Sequence, residues 1–352
     1  MAPPDPLEFA GRAGGKPRRG DLIEATRQVL ARSGFYVSEP TTLRPMAFDI
    51  VARRDRELLI VKVLTNVDSL ADAVAQEMKV LAQFLEGTPV VVGERSSAAA
   101  LEDGAMYVRH GIPILTYGTL VEYLVDGVKP LVYAAPGGFY VNINGEALRA
   151  LREARGLSLG QLAEVAGVSR RAISMYEEGM GAMVEVAMRL EEFLEAPLVE
   201  PVDPFGFARE HPEVVVDFFS KRDPPARADP RREAAPEDPA AVLEAEAFQM
   251  LSVLGFGVVP LGKSPVNAIA TDKDHLFLTG VATIDEAFLR RARAMANLMD
   301  VTERHGVFIV ERTYQRMTVE GAPLVAREEL AKLDEPSDVL ELIKERRKRP
   351  AP

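Results

Sequence analysis

The sequence predicts an α/β chain with an all-α unit set into its middle, and three observations carry that reading. From about residue 20 to 125, apolar positions alternate between helical and strand spacing. From 146 to 195 only the helical period appears, and from about 241 the first pattern returns. The implied division is a flexible tail over 1–19, an α/β domain over 20–130 and a connector over 131–145. A helical domain follows over 146–200, then a linker over 201–240, a second α/β domain over 241–335 and a helical, basic tail over 336–352.

In the first α/β segment, residues 22–33 read as a helix with Val29 and Leu30 on its buried face, stopped by Gly34. Residues 48–51 and 58–63 read as strands joined by a charged tip, Arg53, Arg54, Asp55 and Arg56. A helix over 69–85, a buried strand over 89–92 bounded by Gly93, a strand over 112–115 and a closing helix over 119–124 complete it. Residues 133–144 (YAAPGGFYVNIN) form a Gly-turned connector, read as a hairpin.

The stretch GLSLGQLAEVAGVSRRAISMYEEG, residues 156–179, has the anatomy of a helix-turn-helix. Two short helices that cross steeply need a small residue where they touch, which Ala163 supplies, and a left-handed position in the turn, which Gly167 supplies. Ile173 points from the second helix into the shared core with Leu162, Ala166, Val168 and Tyr176. Subtracting these leaves Ser169, Arg170, Arg171, Ser174 and Met175 outward, near the end of a recognition helix that enters the major groove of double-stranded DNA. Arginine pairs with guanine or phosphate, and serine with a base edge or the backbone. Upstream, EALRALREAR turns Leu148 and Leu151 inward and leaves Arg149, Arg152 and Arg155 for phosphates. Downstream, MVEVAMRLEEFLE turns Val186, Leu190 and Phe193 inward. The segment resembles the Cro/repressor family of helix-turn-helix domains, which implies a five-helix unit. It departs from that family at Leu159, where a glutamine commonly supports a DNA contact.

The second α/β segment echoes the first. EAFQMLSVLGFGV (246–258) aligns with ATRQVLARSGFYV (25–37), and NAIATDKDHLFLTGVAT (267–283) aligns without gaps with DIVARRDRELLIVKVLT (49–65). VFIVER (307–312) matches VVVGER (90–95), and GAPLVAREEL (321–330) matches GIPILTYGTL (111–120). A degenerate copy of the α/β domain is expected there. Between the two, RDPPARADPRREAAPEDP (222–239) has almost nothing to bury and reads as linker.

Helix, strand ending in Asp49, hairpin, strand ending in Lys62, helix is a layout that resembles the restriction-endonuclease-like fold. That resemblance implies an Asp and a [Asp/Glu]-x-Lys holding Mg²⁺, but Ile60 stands at the second acid. Glu24 and Glu77 lie on neighbouring helices that the sequence does not place at the site. In the second copy the matching positions are Asn267, Leu278 and Gly280. The expectation is therefore a nuclease-like scaffold that is not an enzyme, with no catalytic residue, no metal and no cofactor. A Mg-dependent nuclease using Asp49 and Lys62 is the alternative, and an interaction adaptor that no longer touches DNA is a third reading.

Composition sets bounds. The 352 residues are 47% hydrophobic and 27% charged, with no cysteine, four histidines and net charge −11. This excludes disulfide scaffolds, cysteine zinc fingers and thiol catalysis, and it disfavours nonspecific coating of nucleic acid. No apolar run approaches a membrane span and no signal peptide opens the chain, so a cytoplasmic protein without membrane contact is expected. The basic clusters Lys16, Arg18, Arg19 and Lys344, Arg346, Arg347, Lys348, Arg349 are expected as solvated tails. Over RPMAFDIVARRDRELLIVKVLTNVDSL, GIPILTYGTL, PLVYAAPGGFYVNINGEALRALREARG and GVSRRAISMYEEG, the chain resembles the archaeal family of HTH-type transcriptional regulatory proteins. The resemblance implies DNA binding. A single helix-turn-helix reads a half-site, so a homodimer is expected; nothing in the sequence points to a small-molecule effector.

Overall fold

The computed structural model describes residues 18–39, 43, 46–135, 137–207 and 239–348. The chain forms two units. One comprises Met1–Ser33, Val63–Ala71 and Pro89–Val214; the other comprises Gly34–Lys62, Asp72–Thr88 and Val215–Pro352. The units do not follow the linear division read from the sequence, because the first α/β segment contributes to both.

The first unit opens with helix α1 (Arg19–Arg32), which buries Leu22, Ala25, Thr26, Val29 and Leu30 on one face. Strand β3 (Glu57–Asn66) enters this unit at Val63, and the Arg19 guanidinium donates to the Val63 carbonyl at 2.8 Å. Next come β4 (Thr88–Arg95), β5 (Ala105–Arg109), β6 (Ile112–Leu115) and helix α3 (Tyr117–Val121), whose first turn Thr116 caps. Helix α3 widens into a π-helical turn over Glu122–Asp126, which Gly127 ends at φ 70°. β4 pairs parallel with β6, and β6 antiparallel with β5.

The same unit holds the helix-turn-helix. The connector is a hairpin, β7 (Val132–Ala135) and β8 (Gly138–Ile143), to which β9 (Ala182–Met183) and β10 (Val199–Glu200) both pair through β8. Packed on it are α4 (Gly145–Ala154), α5 (Leu159–Ala166), α6 (Arg170–Glu177) and α7 (Val184–Leu194). Val141 and Ile143 of β8 share one core with Leu148, Leu162, Ile173, Leu190 and Leu194. The five-helix expectation is corrected to four helices among the described residues. Glu195, at φ 46°, turns the chain out of α7, and Pro197 precedes an extended run that joins the sheet as β10. Phe193, expected inward, is 40% exposed, and Leu194 takes the buried place. Residues 201–207 pack on this unit, with Phe205 buried and ring-to-ring with Tyr123 at 5.0 Å; most of the expected linker, 208–238, lies outside the described residues.

The second unit contains β1 (Tyr36–Val37), β2 (Ile50–Arg54), the Glu57–Lys62 part of β3 and helix α2 (Asp72–Leu85). It also contains α8 (Pro239–Val253), β11 (Gly257–Pro260), β12 (Ala268–Thr271), β13 (Leu276–Ala282) and α9 (Glu286–Thr302). β14 (His305–Val310), β15 (Thr318–Val319), β16 (Ala322–Ala326), α10 (Arg327–Leu330) and α11 (Pro336–Lys348) complete it. The sheet of residues 257–326 runs β11-β12-β13-β14-β16-β15. Helix–three strands–helix–three strands–helix is also the order of elements over residues 19–121. Registers agree as well: Val91 and Phe308 sit opposite Ile114 and Leu324 in parallel ladders. The C-terminal basic segment is only partly solvent-facing: Lys344 and Arg347 are exposed, while Arg349 and the Lys348 side chain lie outside what is described. Val339, Leu340 and Ile343 enter the core, and Arg346, 6% exposed, pairs with Glu329 at 2.6 Å.

Candidate nucleic-acid interface

Helix α5 begins at Ser158, whose Oγ accepts from the Gln161 amide at 3.2 Å while the Gln161 side chain accepts from the Ser158 N–H at 2.9 Å. Leu162 and Ala163 are buried against α6, and Gly167 ends the helix at φ 69°, a conformation costly for any residue with a Cβ. Val168 is half-buried at the turn, and Ile173 is fully buried in α6. Ser169 caps α6, its Oγ accepting from the Ala172 N–H at 3.1 Å, which leaves its hydroxyl proton for another partner. Gly145 at the start of α4 meets the C-terminal carbonyls of α6 so closely that a Cβ there would lie 2.6 Å from the Glu177 oxygen.

Of the five outward residues expected from sequence, Arg170 and Arg171 are exposed, as is Ser169. The Arg170 guanidinium lies across Gly160 at the start of α5, where a Cβ would come within 2.9 Å of its Nε. Ser174 and Met175 are half-buried, and the Ser174 hydroxyl donates to Glu178 at 3.5 Å.

The arginines of α4 are placed differently from one another. Arg152 donates Nε to Glu177 Oε1 at 2.5 Å, Nη2 to Glu177 Oε2 at 3.1 Å and Nη1 to the Leu157 carbonyl at 3.2 Å. Arg149 adds a bond to Glu177 Oε2 at 3.3 Å but stays half exposed. Burial alone would raise the Glu177 pKa; the Arg152 bonds and charge, then those of Arg149, outweigh it and hold the carboxyl below its ordinary value. Arg155 donates to the Phe193 and Leu194 carbonyls at 3.1 and 2.5 Å, closing the C-terminus of α7. Arg152 and Arg155 therefore serve the inside of the domain. In a sequence they look like any arginine on an amphipathic helix; only the buried Glu177, on the helix that follows the turn, signals otherwise.

The second candidate is the Asp49–Lys62 pair. The Asp49 N–H donates to the Val61 carbonyl at 2.8 Å and Ile50 faces Val61, so Asp49 stands opposite Lys62 at the β2–β3 ladder's end. Lys62 Nζ lies 3.7 Å from Asp49 Oδ2 and donates to the Met46 carbonyl at 2.6 Å. The Asp49 side chain is 1% exposed. Strand alternation puts Ile60 on the face of Lys62, where it supplies no oxygen. Glu77 on α2 accepts the Gly262 and Lys263 N–H groups instead. Magnesium needs several oxygen ligands, and no group of three or more His, Asp or Glu converges among the described residues. The donor set at Asp49 does not fit a divalent cation in this arrangement.

The matching positions of the C-terminal half hold different chemistry in the same register. The Asn267 N–H donates to the Thr279 carbonyl at 2.8 Å, which sets Asn267 opposite Gly280. Asn267 bonds Glu244 at 2.5 Å and accepts from Arg291, and the buried Phe308 ring occupies the space over Gly280. Burial lowers the Arg291 pKa, although Glu244 and Asp285 oppose the shift.

Comparison with known proteins finds matches for both candidates. Residues 19–130 match the family described as "PD-(D/E)XK superfamily domain", and residues 148–200 match "Helix-turn-helix". The first match corrects the expectation that the chain is not an enzyme: it carries a nuclease-type domain. A solved Type III CRISPR defence DNA nuclease activated by cyclic oligoadenylate aligns over 95% of this chain and 77% of its own, at 14% identity and a TM-score of 0.24, too slight to bear on activity. No helix among the described residues is long and apolar enough to cross a membrane. A Methanocella arvoryzae protein described as "Putative HTH-type transcriptional regulatory protein" is 40% identical over 325 residues, 92% of this chain and 96% of that protein. A similarly described protein of Halobacterium salinarum is 41% identical over 331 residues, 93% and 98% of the two chains. One of Methanosarcina mazei is 37% identical over 328 residues, 93% and 97%. With both helix-turn-helix and nuclease-type segments inside these near-full-length matches, the chain belongs to the archaeal family of HTH-type transcriptional regulatory proteins.

Proposed function

We propose that the protein is a sequence-specific DNA-binding transcriptional regulator that reads the major groove with the N-terminal end of α6, as a homodimer on a two-fold operator. The observation that carries this reading is the pair Arg170 and Arg171, exposed at the start of a helix whose other face is buried in the domain core. The names of the relatives agree with it. Ser169 and Ser174 flank the arginines, and Arg149 keeps enough exposure to reach a phosphate. Selection of bound duplexes from a random pool at a stated salt concentration tests the reading. Arg171→Ala costs about 1–3 kcal/mol on the selected site and relaxes one base position. Unchanged discrimination after loss of both Arg170 and Arg171 excludes α6 as the reader, and half-site spacing in the selected sequences reports the oligomer.

A second reading rests on the nuclease-type match over residues 19–130. Asp49 and Lys62 are the residues at its catalytic positions, and supercoiled DNA incubated with Mg²⁺ or Mn²⁺ is the assay. Cleavage that Asp49→Ala abolishes establishes the activity, whereas cleavage that survives Asp49→Ala assigns it elsewhere.

We also infer that the α/β unit occurs twice. The shared element order supports this, as do the matched pairs Asp49–Lys62 and Asn267–Gly280.

A further inference from the structure

Asp49 borders a cavity of about 20 Å³, whose other lining residues include Ser38, Met46, Pro265, Asn297 and Leu298. That is room for about one water molecule, far less than a phosphodiester needs. What closes the space comes from the C-terminal half of the same unit. The Lys263 carbonyl accepts from the Ala47 N–H at 2.5 Å, two residues before Asp49. Glu77 accepts the Gly262 N–H at 2.9 Å and the Lys263 N–H at 2.7 and 2.9 Å. On α9, Asn297 donates to the Glu39 carbonyl at 3.3 Å, and the Thr302 carbonyl accepts from Arg53 at 3.2 Å.

We propose that the Leu261–Pro265 segment and α9 form a built-in cover over the nuclease-type face, fastened mainly by Glu77. In this reading a nucleic-acid backbone reaches Asp49 only after that fastening lets go. The ranking of the contacts follows from burial. The rim pairs Arg53–Glu303 and Arg304–Glu86 have glutamates 70% and 83% exposed, where screening leaves ion pairs weak. Glu77 is 8% exposed and binds two successive backbone N–H groups with a charged acceptor, the stronger kind of hydrogen bond. The cover also explains how a nuclease-type domain is retained in a DNA-binding regulator without being open to every duplex it meets.

The chain has no cysteine, so one introduced thiol reports access without background. Ser38→Cys places it in the cavity wall and Ala47→Cys beside the Lys263 carbonyl; the second guards against a local misfit of the first. With the full-length folded protein and 5,5′-dithiobis(2-nitrobenzoate) as probe, either thiol reacts about 100-fold more slowly than in the urea-unfolded chain. Adding Glu77→Gln, which removes the charge and one acceptor oxygen, speeds the reaction about 10-fold while the thermal transition stays cooperative. Native-state labelling within about threefold of the unfolded rate overturns the cover. Labelling that Glu77→Gln leaves unchanged overturns the role given to Glu77. No DNA enters the experiment, so its outcome is separate from that of the helix-turn-helix reading.

Discussion

At the scale of single residues, the charges of α4 and α6 divide into those bound within the domain and those left exposed. Glu177, with its side chain 4% exposed, is neutralised from α4 by Arg152 and at the rim by Arg149. A buried carboxylate stripped of its partner is costly, so Arg152→Met destabilises the domain by about 3–5 kcal/mol. Replacing both Arg152 and Glu177 with methionine costs much less. Urea denaturation of the two variants checks this, and equal losses in single and double variants would refute it. The depressed pKa of Glu177 also fixes a pH dependence. The unfolded carboxyl, near 4.5, binds protons more readily than the folded one. Its contribution is therefore complete above that value and is lost as pH falls through the lower folded pKa, visible as a falling urea midpoint in the acid range.

Among elements, β13 and β14 are held together by a ring packed on a glycine. The Phe308 ring lies against Gly280 and edge-on to Phe288 at 4.9 Å, fully buried. A methyl at Gly280 would overlap the ring, so Gly280→Ala destabilises by about 1–3 kcal/mol. Phe308→Leu recovers part of that loss in the double variant; strict additivity would show that the two sites do not touch. The same pair marks the reach of sequence reasoning. The sequence alignment pairs Gly280 with Lys62, and in their ladders the two stand opposite Asn267 and Asp49. It could not show that Phe308 moves in, because that ring comes from a strand about thirty residues away. Likewise the long helices and the apolar strand β3 were legible from their periods. The two-residue strands β1, β9, β10 and β15 were not, since so short a pairing is decided by the neighbour and not by its own residues. Phe193 was misplaced for a related reason: one residue of helix phase separates it from Leu194.

For the whole molecule, charge placement governs how DNA binding responds to salt. The chain is acidic overall, and two of the six arginines of the helix-turn-helix domain, Arg152 and Arg155, are engaged within it. With Arg149, Arg170, Arg171 and Arg189 exposed, about three to four phosphates are neutralised per bound domain, and the slope of log K against log salt is about −3 to −4 per domain. Titration of the selected duplex between about 50 and 200 mM salt measures it. A slope near −5 would require cations from outside this domain. The candidate reading helix was recognisable in the sequence because its geometry is local: a small residue, a glycine and an apolar anchor at fixed spacing. The surroundings of Asp49 were not, because Glu77 and Lys263 come from two distant segments.

The carboxylate of Glu77 ties two stretches of chain that lie about 185 positions apart. Any exchange of parts between relatives, whether by recombination in a genome or by cutting and joining at the bench, breaks that tie if the crossover falls in the intervening linker. The protein's natural exchangeable module is therefore the segment around the helix-turn-helix. Either α/β half, transplanted alone, would arrive with a raw face where its counterpart used to sit.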